Sequence, residues 1–229
     1  MENVKRIVCL ANSRKLAGRC IAGREWTPEA VAGGWIRPVS ARENREVSEY
    51  ERQYEDGSDP KVLDIVDVPL LEPLPQGWQT ENWLLDPELY WRKLGTYSPF
   101  DLSRLVDPVA PLWIDGDSTW HGRNDRLPGE PANLPSGSLR LIRVARMELA
   151  VFKPGEAFGN AKRRVQGRFL HAGTPYALWI TDPRYEREYL AKLDGTYELG
   201  ECYLTISIGE PYRGVCYKLV AAIVEPNGA

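Results

Sequence analysis

The residues best suited to chemistry in this chain are cations and aromatics that stand close together. Asn12, Ser13, Arg14, Lys15, Arg19 and Arg24 follow the first apolar run, and four of the six are cations within eleven residues. Guanidinium and ammonium groups donate to phosphate oxygens; Asn12 and Ser13 add neutral donors, and Gly18 permits close backbone approach. The competing reading is a solvated hairpin whose charges pair with acids elsewhere. Trp35 and Arg37 stand two apart, so a strand points both to one face. An exposed aromatic beside a guanidinium stacks a base and neutralises its phosphate, although a Trp in a β structure is more often core.

The second half offers a similar set. Lys162, Arg163 and Arg164, with Arg168 beyond them, form a cationic edge before a strand. Tyr212 and Arg213 lie in the turn Gly209–Gly214, at a ligand mouth or there for turn geometry alone. Lys218 is a lone cation in an apolar run and needs a carboxylate or a ligand phosphate; an internal acid is the favoured partner. Gln79, Glu81 and Asn82 can read base edges or cap turns, and the structural role is favoured.

Catalytic arrangements are not evident. The chain has no G-x-S-x-G, no H-E-x-x-H and no Gly-rich phosphate loop with its Lys. His121 and His171 sit in unlike contexts without a Cys or Ser partner by spacing. Asp64 and Asp67 are three apart, so a strand sends them to opposite faces. The four cysteines, Cys9, Cys20, Cys202 and Cys216, include no C-x-x-C pair, so neither a zinc site nor any other metal or cofactor is expected. Cys9, Cys202 and Cys216 read as buried free thiols, which fits a cytoplasmic setting. A nuclease using the acidic residues is the remote alternative to a non-enzymatic role.

The elements that must position these residues are short β runs broken by 18 Pro and 20 Gly. Their order repeats. Arg6–Ala11, Gly34–Pro38 and Val62–Leu70 are answered by Leu139–Ala145, Ala177–Pro183 and Cys202–Ile208, with a basic stretch after the first run in each half. Both halves place a Trp-Ile pair two residues before a Pro or an Asp-Pro. Cys216–Val224 reads as a closing strand buried on both faces. Short helices are expected at Thr27–Val31, Asp101–Val106 and Asp182–Leu190, the last with Asp182 as N-cap and Pro183 in first position. The fold expected is mainly β, two tandem OB-like five-stranded barrels: residues 1–114 with an acidic insertion at 46–114, a linker or long loop at 115–137, and residues 138–229. Duplicated small barrels bind more often than they catalyse.

Charge distribution supports local binding surfaces. The net charge is −3, but residues 1–45 carry nine Lys/Arg against four Asp/Glu, residues 46–131 seven against eighteen, and residues 132–229 thirteen against ten. Two mildly basic regions flank an acidic one, so basic grooves can exist on an acidic chain. No apolar run approaches the roughly 20 residues of a membrane helix.

Several strings carry a resemblance: Cys9–Lys15 with Gly18–Gly23, Gly33–Ser40, Gln79–Asn82, Ser207–Tyr212 and Cys216–Ala222. In this order they resemble the prokaryotic dual OB-containing domain family over nearly the whole chain. The resemblance implies two OB folds in tandem and nucleic-acid binding, in genomic settings that include defence systems. The function expected is binding of single-stranded nucleic acid, RNA ahead of DNA, with Arg14, Lys15, Arg19 and Arg37 on one barrel and Lys162, Arg163, Arg164 and Arg168 on the other. Trp35 and Tyr212 would stack bases. The rivals are a sensor of a small nucleotide-type ligand between the barrels and a protein-interaction module using the acidic segment 46–131. Salt dependence separates the first from the others.

Overall fold

β-Branched and aromatic residues alternating with polar ones favour strands, and Pro and Gly end them. The computed structural model describes residues 3–28, 33–108, 110–131 and 137–226. The chain divides into two units, the first comprising Met1–Leu105 and Asn133–Leu139, the second Val106–Ala132 and Arg140–Ala229.

The first unit contains β1 (Asn3–Lys15), β2 (Gly18–Glu25), β3 (Trp35–Val39), α1 (Glu49–Arg52), β4 (Asp64–Pro73), β5 (Asn82–Leu85) and β6 (Arg92–Thr96), followed by a 3-10 helix at Pro99–Arg104. The strand order is β1-β2-β3-β5-β4, and β1 pairs again with β4, which closes a five-stranded barrel; β6 extends it from β4. The β3–β5 pairing is parallel. One long strand makes closure possible. The Asn3–Val8 part of β1 pairs with β4, and its Ile7–Lys15 part pairs with β2. A register shift between Cys9 and Ala11 marks the irregularity at which such a strand bends. Ile7, Cys9, Ile21, Ile36, Val66 and Val68 fill the interior.

The second unit contains β7 (Arg126–Pro128), β8 (Leu139–Val144), β9 (Met147–Phe152), β10 (Arg164–His171), β11 (Thr174–Ile180), α2 (Pro183–Leu190), β12 (Gly195–Leu199), β13 (Cys202–Ile208) and β14 (Val215–Val224). The sheet runs β12-β9-β10-β11-β14-β13-β8, with β7 on β14. Only Ala145 and Arg146 separate β8 from β9. The two act as one interrupted strand, β9 pairing with β10 and β8 with β13. On that reading the order of the first unit returns, including the parallel pairing, here β11–β14. In both units the α-helix lies between the third and fourth strands. Asp182 caps α2 by accepting from Arg184 N (2.9 Å) and Tyr185 N (3.4 Å), as its sequence signature predicts. Met147, Leu149, Val165, Leu178, Ile206 and Val220 lie in the core, where each such side chain contributes about 1.5–3 kcal/mol by burial.

The repeated order therefore holds for the five shared strands, while among the described residues β6, β7 and β12 have no counterparts and the second unit is an eight-stranded sheet rather than the five-stranded barrel expected. The helix expected from Asp101 is present within the 3-10 helix Pro99–Arg104. The short helix expected at Thr27–Val31 lies largely outside the described residues. Two boundaries differ from expectation. The acidic stretch 46–114 is not an insertion, because it supplies β4 and β5 of the closed barrel. The stretch 115–131 is not a linker either. Asp115 accepts from Lys218 Nζ (2.8 Å) and from Tyr176 OH (2.8 Å), Asp125 and Leu127 are buried, and β7 pairs with β14. Its Gly, Asp and Asn residues form turns that are folded onto the second unit. Among the described residues no helix is long and apolar enough to cross a membrane.

Candidate nucleic-acid interface

Side chains alternate across a strand, and in β9, β10 and β11 the alternation sorts core from surface. Met147, Leu149, Val151, Val165, Phe169, Tyr176, Leu178 and Ile180 belong to the core. The opposite face therefore carries Glu148, Ala150 and Phe152 on β9, Arg164, Gln166 and Arg168 on β10, and Pro175, Ala177 and Trp179 on β11. Register places Arg164 opposite Phe152, and Gln166 opposite Trp179. The Arg164 guanidinium sits 3.9 Å from the Trp179 ring centroid. Phe152 is 5.7 Å from Trp179 and 5.4 Å from His121. Three aromatic rings and a guanidinium thus share one half-exposed sheet face.

His121 is brought there by a rigid turn. Asp125 accepts from Thr119 N (2.7 Å) and Thr119 Oγ1 (2.6 Å), and Thr119 Oγ1 accepts from Gly122 N (2.9 Å). A Cβ at Gly122 would lie 1.9 Å from an Asp125 carboxylate oxygen, so only glycine fits. Arg123 and Ala177 exchange backbone hydrogen bonds (3.2 and 3.1 Å), and Asn124 Nδ2 donates to Pro175 O (3.0 Å). His121 Nε2 donates to Pro154 O (2.8 Å), tying the turn to the loop between β9 and β10. These two segments carry Trp120 and Phe158, which are 92% and 87% exposed.

The five-stranded Greek-key barrel of the OB fold binds oligonucleotides and oligosaccharides on the face of its second and third strands and on the loops joining strands one to two and four to five. Most sequence-selected residues fall at these positions. Arg14, Lys15 and Arg19 flank the Leu16–Ala17 turn of the first unit. Lys162 and Arg163 end the corresponding loop of the second, Arg164 and Arg168 lie on its second strand, and Tyr212 and Arg213 occupy its last loop. Tyr212 is exposed, with Arg213 5.2 Å over its ring.

Several are placed otherwise than expected. Arg37 is 2% exposed and lies 3.3 Å from Glu81, which also accepts from Ser138 N (3.1 Å) and from Ser138 Oγ. It locks β3 to the loop before β5 and faces no solvent. Trp35 is half-buried, with Arg24 5.0 Å over its ring and Arg24 Nη1 donating to Gly33 O (2.9 Å). Ser13 is buried and donates to Cys20 O (3.3 Å), and Asn12 donates to Pro60 O (2.6 Å). Arg163 is held by Asp194, Leu190 O and Lys192 O at 2.5–2.8 Å. Lys218 is fully buried; besides Asp115 it donates to Ile114 O (2.7 Å). Burial pushes its pKa down, and Asp115 opposes the shift. The internal acid favoured for Lys218 is thus present, which removes it from any strand contact. Gln79, Glu81 and Asn82 are buried, in keeping with a structural role.

Sequence reasoning missed Trp179, Phe152, His121, Trp120 and Phe158. The alternation of Tyr176, Leu178 and Ile180 against Ala177 and Trp179 carried a signal for the first. Asp64 and Asp67 diverge as expected. Asp64 accepts from Tyr54 OH (2.9 Å) and pairs with Lys93 (2.6 Å), whereas Asp67 pairs with Arg6 and Arg92, each at 2.7 Å. Cys9, Cys202 and Cys216 are buried thiols that burial pushes up to about 12, 12 and 11.

No curated protein and no solved structure matches the chain. The family model described as the dual OB-containing domain does match, over residues 5–223. With two copies of one strand order, each with its helix between the third and fourth strands, the chain belongs to the dual OB-containing domain family.

Proposed function

We propose that the second unit binds single-stranded nucleic acid on the outer face of β9, β10 and β11, as a non-enzymatic cytoplasmic protein. Bases stack on Trp179 and Phe152 and on the protruding Trp120 and Phe158, while Arg164 and Lys162 meet phosphates. The observation that carries this reading is the Arg164–Trp179 pair flanked by Phe152 and His121. A ring under a guanidinium on an OB second-and-third-strand face offers stacking and charge at once. Arg14 and Lys15 at the first unit's hairpin end supply an accessory contact.

The test is fluorescence anisotropy of labelled single-stranded RNA and DNA, titrated with the native chain and with Trp179→Ala at about 50 and 200 mM salt. Native binding that falls steeply with salt, and weakens about 5- to 150-fold in the variant, is the expected result, since each stacked base contributes about 1–3 kcal/mol. Native binding that the variant leaves unchanged would move the interface elsewhere. RNA is expected to bind ahead of DNA.

A further inference from the structure

A groove of about 610 Å³ opens beside the aromatic cluster, lined by His121, Arg123, Arg146, Glu148, Gln166 and Arg168 together with apolar groups of β10 and β11. Three guanidiniums reach it from three separate places: the 119–125 turn, the β8–β9 junction and β10. Their electrostatic states differ. Arg146 is engaged by Glu198 and lies 3.8 Å from Glu148, which is the groove's one lining carboxylate. Arg123 and Arg168 are exposed, and among the described residues no carboxylate lies within ion-pair distance of either. Two guanidiniums without a carboxylate partner leave this groove with positive charge that an anion would neutralise.

The groove is also built. Gln166 is fully buried, donates from Nε2 to His121 O (2.7 Å), and accepts from Arg168 Nε (3.1 Å). One amide thus fixes both the turn and the orientation of the Arg168 fork, while the Arg168 terminal nitrogens remain for a ligand. A planar fork of this kind matches the oxygens of a phosphate and is held at little entropic expense. The groove volume falls in the range of small-ligand sites.

We propose that this groove is a phosphate subsite, in which Arg123 and Arg168 clamp a nucleotide phosphate while the neighbouring rings of His121, Phe152 and Trp179 take the attached base. The assignment rests on the reading of the second unit as a nucleic-acid binder and names the part of the ligand that meets the groove. The phosphate can belong to a strand or to a free nucleotide.

The test combines anisotropy over a salt series with competition. In the double variant Arg123→Gln/Arg168→Gln the slope of log affinity against log salt should fall by about 0.7, the change for one single-strand phosphate no longer neutralised. Affinity at low salt should drop about tenfold or more. Arg168→Lys, which keeps the charge and loses the fork, should keep the slope and lose affinity. Trp179→Ala should do the same, because stacking releases no counterions. Displacement of the labelled strand by adenosine 5′-monophosphate but not by adenosine assigns the groove to a free nucleotide; displacement only by oligonucleotides assigns it to a strand phosphodiester. A double variant that retains the native slope overturns the groove assignment and leaves the stacking reading standing. Absence of any binding by the native chain overturns both.

Discussion

The two units share one strand order and dress its second-and-third-strand face differently. In the first, the guanidinium at the centre of the third strand is buried under Glu81 and Ser138, and the Trp at its start is half-covered. In the second, the corresponding Trp179 is half-buried too, with Arg164 3.9 Å from its ring, but Arg168 is exposed on the second strand and a rigid turn brings His121 alongside Phe152. The difference traces to where the carboxylates fall. Glu81 reaches the first unit's Arg37, whereas the one carboxylate on the second unit's groove is engaged by Arg146. On the function proposed above, a duplicated fold keeps one copy for structure and leaves the other for recognition, with the location of a few acids deciding which.

The comparison breaks most readily at Arg37. Arg37→Ala leaves the Glu81 charge buried with only Ser138, so a loss of about 3–5 kcal/mol in urea unfolding is expected, with strand binding by the remaining folded protein unchanged. Lys218→Met, the corresponding test of the second unit's buried pair, should cost less, because Asp115 keeps the Tyr176 hydroxyl and some solvent. Equal losses would mean the two pairs carry similar weight.

Binding should divide the units the other way. Trp179→Ala is expected to lose about 1–3 kcal/mol of strand affinity, and Trp35→Ala much less, both read by anisotropy at one salt concentration. A larger effect at Trp35 would reverse the assignment of the working face.

Acid should loosen the units in sequence. Burial pushes the Asp67 and Glu51 carboxyls up, but their donors outweigh it, Arg6 and Arg92 at Asp67 and Ser40 and Ser48 at Glu51, so both are held below the ordinary carboxylate range. Their stabilisation is present above the unfolded value near 4 and is lost as pH falls through the folded values. Burial of Asp182 in the second unit instead raises its carboxyl, backbone donors notwithstanding. There the folded state takes up the proton more readily than the unfolded chain, so lowering the pH favours it. Hydrogen exchange, corrected for intrinsic rates, should show protection lost from β1, β4 and β6 at a higher pH than from α2 and β14. Simultaneous loss would count against this account.

The smallest contrast lies between neighbours. Lys162 is exposed, whereas Arg163 is held by Asp194 and two carbonyls. Lys162→Ala should lower the salt slope of strand binding by about 0.7. Arg163→Ala should leave that slope alone and cost about 1 kcal/mol of stability.

Much of the fold was legible because strands announce themselves locally. The apolar runs at Arg6–Ala11, Gly34–Pro38 and Val62–Leu70 and their later counterparts became β1, β3, β4, β8, β11 and β13, and Asp182-Pro183 marked its helix. What escaped was set by distant partners. The 115–131 stretch reads as loop by composition, yet its Asp115 is fixed by Lys218, 103 residues away. Arg37 had its face from alternation but not its cover, since Glu81 lies on another strand's approach. Lys218 was readable as needing an acid because a bare cation in an apolar run has few other outcomes. The site was half legible: charge runs picked out Arg164 and Arg168, but Phe152 and His121 join them only through sheet register and a turn.

The unit boundaries also determine how the molecule can be dissected. Because the first unit takes back Asn133–Leu139 after the second has begun at Val106, the two are interleaved along the chain. A fragment ending near residue 105 would hold all five barrel strands yet lack the serine that meets Glu81. During synthesis the same holds in time: the first barrel waits for its final hydrogen bonds until roughly thirty residues of its neighbour have been made.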